Sequence, residues 1–81
     1  MSLTVDQATA LLPDGERIMV MTRIEPPYGE QARSRLQVLE VLKSSQMIDT
    51  SGPVAAAMGY GVCYLDNRSN WIFVETKPRN K

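Results

Sequence analysis

The chain has 81 residues, 43% of them apolar and 22% charged, and its nine lysines and arginines balance nine aspartates and glutamates. That balance leaves no net field to draw the protein onto nucleic acid or an anionic membrane. The lack of histidine removes the commonest metal ligand and general base, and the single cysteine excludes an intramolecular disulfide.

At this length residues 1–81 are expected to form one domain, which buries only about 60 to 65% of the surface its unfolded chain exposes. No apolar run approaches the ~18 residues that span a bilayer, and Met1 to Asp6 has neither the basic nor the apolar region of a signal peptide. A cytoplasmic location is the expectation. Lys77, Arg79 and Lys81 crowd the C-terminus, and residues 78–81 read as a flexible basic tail that aids solubility.

Thr4-Val5-Asp6-Gln7 matches a capping box, in which the threonine oxygen accepts an amide three residues on and the glutamine reaches back. A first helix should run over about residues 5 to 12, with Val5, Ala8, Leu11 and Leu12 on one face and Pro13-Asp14-Gly15 ending it. Residues 17 to 24 alternate as a strand: Ile18, Val20, Thr22 and Ile24 share one side, and Arg17, Met19, Met21 and Arg23 the other. Two prolines make residues 25–29 a loop, with Tyr28 at its tip as a candidate contact residue.

From Glu30 to about Ser45 the residues are good helix formers, and Ala32, Leu36, Leu39 and Leu42 or Lys43 line one stripe, widened by Val38 and Val41. Gln46 to Thr50 reads as a connector to a third helix, with Thr50 or Ser51 as its N-cap, Pro53 in its first turn and Gly59 as a left-handed C-cap. The Ala55-Ala56-Ala57 run would let that helix approach another element closely. Residues 60–65 and 71–76 are rich in aromatic and β-branched residues around a polar turn and predict a hairpin.

The predicted order is α-β-α-α-β-β. It predicts an α+β fold with a three-stranded, mainly antiparallel sheet and helices packed on one face. The first strand could pair with either hairpin strand.

Chemistry-bearing patterns are sparse. Cys63 sits mid-strand among apolar neighbours and reads as a packed, inert thiol. Asp14, Glu16, Asp66 and Glu75 show no spacing that pairs two carboxylates for acid and base work. The glycines at 52, 59 and 61 match neither the dinucleotide nor the phosphate-loop pattern. No catalytic, cofactor or metal site is therefore expected, and the chain reads as a non-enzyme. Tyr60, Tyr64, Trp71 and Phe73 would suit a nucleic-acid stacking platform only with more basic neighbours than these strands supply.

The sheet itself carries the main functional expectation. If Ile18, Val20, Ile72 and Val74 pack under helices, then Met19, Met21, Trp71 and Phe73 gather on the other side, rimmed by Arg17, Arg23 and Glu75. Such a patch has the composition of an interface core. The alternative is that this side is the packed one, or that the C-terminal tail covers it. The interface candidates are Met19, Met21, Arg23, Trp71 and Phe73, with Tyr28, and the partner would be another protein or a second copy of the chain. A second reading is a small-molecule or nucleotide-derivative binder with a pocket near Gly59, Tyr60 and Tyr64.

The segments Leu11 to Ile18, Gly52-Pro53 with Ala57 to Gly61, and Trp71 to Thr76 resemble small proteins of unknown function encoded in bacteriophage and prophage genomes. Those relatives carry histidines in the first strand and after the Met-Gly pair, where this chain has Met19 or a neighbour and Tyr60, so no histidine-dependent role carries over. The resemblance implies a phage-borne accessory protein in a bacterial cytoplasm, a class that often binds and modulates or inhibits a host protein.

Overall fold

The structure, a computed structural model, describes residues 2–22 and 29–77. The expectations for Arg23, Tyr28, the proline loop and the basic tail lie outside these residues.

Eight elements follow one another: α1 (Val5–Leu11), β1 (Arg17–Thr22), β2 (Gly29–Ser34), α2 (Arg35–Ser44), β3 (Met47–Thr50), α3 (Pro53–Ala57), β4 (Val62–Leu65) and β5 (Trp71–Val74). The strands form one five-stranded antiparallel sheet in the order β2-β1-β5-β4-β3. The fold is α+β, but the three-stranded sheet and the α-β-α-α-β-β order are overturned by β2 and β3, the edge strands.

β2 was expected to be the first turns of the main helix, because Glu30, Gln31, Ala32 and Arg33 are helix formers. Its ladder to β1, from Arg17 opposite Ser34 to Thr22 opposite Gly29, overrides that preference. The helix starts only at Arg35, where Ser34 Oγ accepts the Gln37 amide at 3.1 Å and Gln37 Oε1 accepts the Ser34 amide at 3.2 Å. This capping box repeats the one at α1, where Thr4 and Gln7 exchange the same two bonds.

β3 occupies what read as a connector. It pairs with β4 from Met47 opposite Leu65 to Thr50 opposite Val62, and only Ile48 of its four residues is buried. On the other side of β3, the Leu3 amide donates to the Ile48 carbonyl at 2.8 Å. With Thr50 in the sheet and the Ser51 hydroxyl donating to the Tyr60 carbonyl, the N-cap of α3 is Gly52, without a side-chain cap. Pro53 opens that helix, and Gly59 follows it at φ +96°, as expected for a left-handed turn. The hairpin of β4 and β5 forms as predicted, and its turn is organised by Asp66 Oδ1, which accepts the Arg68 and Asn70 amides.

β1 pairs with β5, which settles which hairpin strand it joins. Residues directly opposite in an antiparallel pair share a face, so the register divides the sheet. Ile18, Val20, Ile48, Val62, Tyr64, Ile72 and Val74 lie on one side and form the core with Ala8 and Leu12 of the α1 segment and Val38 and Leu42 of α2. Leu12, Ile18, Val38, Leu42, Val62 and Val74 are almost fully buried. The start of α2 is tied down too, since Arg35 donates through Nη1 to the Pro13 carbonyl and through its amide to the Glu16 carbonyl.

α3 departs from the expected packing. It contributes no buried residue, and it borders Met21 and Phe73 on the face opposite α1 and α2. Helices therefore lie on both sides of the sheet, but among the described residues only the side under α1 and α2 is closed.

Candidate functional site

The open face follows from the register. Met21, Phe73, Cys63 and Asp49 form one row across β1, β5, β4 and β3, and Trp71, Leu65 and Met47 form the next. Met21 and Cys63 are buried, Met19 and Phe73 half-buried, and Trp71 is 37% exposed. Four of the expected interface residues, Met19, Met21, Trp71 and Phe73, are thus on the same side of the sheet, opposite Ile18, Val20, Ile72 and Val74. Tyr64 is on the other face, in the core, so the four aromatic residues weighed as a stacking platform do not share a surface.

α3 adds what the sequence reading did not include. Val54 and Met58, one helical turn apart, are 76% and 59% exposed. With Gly52, Pro53 and Ala55 they wall a groove of about 300 Å³ whose other side is Met21 and Phe73. The signal was the i,i+4 spacing of Val54 and Met58 flanking the alanines, which read only as a site of close packing.

Met58 also belongs to a larger cleft of about 590 Å³, lined by Leu11, Met19, Tyr60, Glu75 and Lys77 among others. Three chain segments converge there. The Lys77 amide donates to the Leu11 carbonyl at 2.8 Å, the Thr76 amide to the Gly59 carbonyl at 3.0 Å, and the Gly61 amide to Thr76 Oγ1 at 3.1 Å. A Cβ at Gly61 would stand 2.5 Å from that hydroxyl oxygen, so only glycine permits the clasp. The pocket anticipated near Gly59 and Tyr60 is present, but Tyr64 is not part of its lining.

Two side chains give the cleft its polarity. Glu75 Oε1 accepts the Met19 amide at 3.0 Å while the Glu75 amide donates to the Met19 carbonyl at 2.9 Å. The Tyr60 hydroxyl donates to Glu30 Oε2 at 2.7 Å. Burial pushes the Tyr60 phenol up to about 12, and the hydrogen bond to Glu30 and the charges of Glu30 and Glu75 act in the same direction. Lys77 sits at the mouth, 3.7 Å from the exposed Asp14 carboxylate.

Cys63 donates to the Asp49 carbonyl at 3.6 Å. Burial, with the Asp49 carboxylate adding to it, pushes the thiol up to about 11, so it is protonated at neutral pH. Among the described residues no group of three or more His, Cys, Asp or Glu is placed to hold a metal ion, and no helix is long and apolar enough to cross a membrane. No family model matches the chain, and neither curated proteins nor solved structures yield a match.

Proposed function

We propose that the chain is a non-enzymatic interaction module that binds a protein partner across the open sheet face. The observation that carries this reading is α3: it buries none of its own residues, yet it sets exposed Val54 and Met58 beside Met21 and Phe73. An exposed apolar groove of this kind on a small domain is typical of a surface that another molecule covers. Trp71 and Met47, each 37% exposed, extend the same face, and Trp and Met are enriched in interface cores. The resemblance to phage and prophage proteins favours a bacterial host protein as the partner, bound in the host cytoplasm and modulated or inhibited by the contact.

Capture from a bacterial lysate by the wild type and by Val54→Glu/Met58→Glu tests this. The expected result is a partner retained by the wild type and lost by the double variant at unchanged thermal stability. Equal recovery by both would contradict the reading. Light scattering after size exclusion decides whether that partner is a second copy of the chain.

The cleft supports a second reading, a small-molecule binder, because its volume lies in the range of ligand sites and Tyr60 and Glu75 supply fixed polar groups within apolar walls.

A further inference from the structure

We propose that the cleft between Tyr60 and Glu75 takes a cation on an aliphatic stem, an alkylammonium or alkylguanidinium group. The site does not depend on protein docking at the neighbouring groove.

Glu75 is the anchor. Its Oε1 is fixed by the Met19 amide, and its Oε2 has no hydrogen-bond partner among the described residues. The carboxylate is half-buried in a cleft whose walls include Leu11, Met19, Met58 and the Tyr60 ring. Reduced solvation strengthens its attraction for an entering cation relative to bulk water. An aliphatic stem would lie along the methionines, whose unbranched thioethers adapt to irregular shapes.

The surroundings select the same sign. Glu30 stands behind the Tyr60 hydroxyl and adds a second negative charge. Lys77, the cation among the lining residues, lies 3.7 Å from the Asp14 carboxylate at the rim, and among the described residues Glu75 forms no ion pair. An anionic group in the cleft would meet the Glu75 carboxylate, with Glu30 behind the Tyr60 hydroxyl, so the site favours a cation over a phosphate.

The test is a titration of the ¹⁵N-labelled full chain with agmatine and pentylamine, followed by amide shifts, with pentanol and pentanoate as neutral and anionic compounds of the same stem length. The amides of Met19, Gly59, Gly61 and Glu75 are expected to shift saturably with the two cations. Pentanol and pentanoate should bind at least about tenfold more weakly, the loss expected when a hydrogen bond to a charged group is removed. Glu75→Gln retains an acceptor for the Met19 amide and should weaken agmatine by a similar factor. Acetyl-arginine methylamide separates two sources of the cation: binding as tight as agmatine identifies a basic side chain of a peptide or protein, and weaker binding identifies a free small amine. Saturation by neither cation, equal affinity for pentanol, or unchanged agmatine affinity in a folded Glu75→Gln overturns the proposal. The charge comparison on the wild type decides the matter even if that variant does not fold.

Discussion

The two faces of the sheet are built from the same kinds of strand residue but finished differently. On one, α1 and α2 press Leu12, Val38 and Leu42 onto Ile18, Val62 and Val74, and each of these six is at most 1% exposed. On the other, the five-residue α3 shelters Met21 without burying anything of its own. Closure needs helices long enough to present a full apolar stripe, and α3 is too short to do so. The closed face therefore carries the stability of the domain, and the open face is where we propose that a partner binds.

The largest expected effect lies on the closed face. Leu42→Ala should cost about 2 to 5 kcal/mol in denaturant unfolding, since it opens a cavity in a packed core, whereas Val54→Ala should change stability by less than about 0.5 kcal/mol because its side chain is mostly in solvent. Similar losses at the two positions would break the distinction between the faces.

Gly61→Ala comes next, with an expected loss of about 1 to 3 kcal/mol from overpacking, because the added carbon meets Thr76 Oγ1. The double variant Gly61→Ala/Thr76→Ala should recover part of that loss. It sharpens the comparison by showing whether the clasp that shapes the cleft also supports the sheet.

Alkaline titration gives a third effect. Tyr60 ionises near 12 in the folded chain against an ordinary 10.0, and Cys63 near 11 against 9.0. Both values are raised, so both groups contribute stability that is complete below their unfolded values and is lost as pH climbs through the folded ones. Thermal midpoints should fall from about pH 9 upward, and Tyr60→Phe should flatten the part between 10 and 12. A midpoint independent of pH over that range would contradict the buried placement of both side chains on the open side of the sheet.

The smallest effect concerns the start of α2. Ser34→Ala should destabilise by ~1 kcal/mol as the loss of an N-cap. Were the helix to begin at Glu30, Ser34 would lie inside it and alanine would stabilise instead.

That sign difference also marks what was legible in the sequence. The Thr4 capping box, the alternation over residues 17–22 and the apolar hairpin were readable because each carries a local signal, and the alternation placed Met19, Met21, Trp71 and Phe73 opposite the aliphatic core. The Ser34-Arg35-Leu36-Gln37 capping box was equally present but lay inside a run of helix formers that masked it. β2 is a polar edge strand with five of its six residues exposed, so no buried face imposed a period-two pattern on it. β3 has only four residues, too few to show one. The Tyr60 to Glu30 bond joins residues 30 apart in the chain, and with β2 unrecognised nothing local brought the two together.

Site-specific photocrosslinking in a bacterial cytoplasm tests the proposed binding role of the open face most directly. A benzoylphenylalanine at position 54 would report on that face, and one at position 36 would serve as a control, because Leu36 of α2 is 71% exposed, nearly as much as Val54. A discrete protein adduct is expected from position 54 and none from position 36. An adduct confined to position 36, or adducts of equal yield from both, would contradict the proposed role.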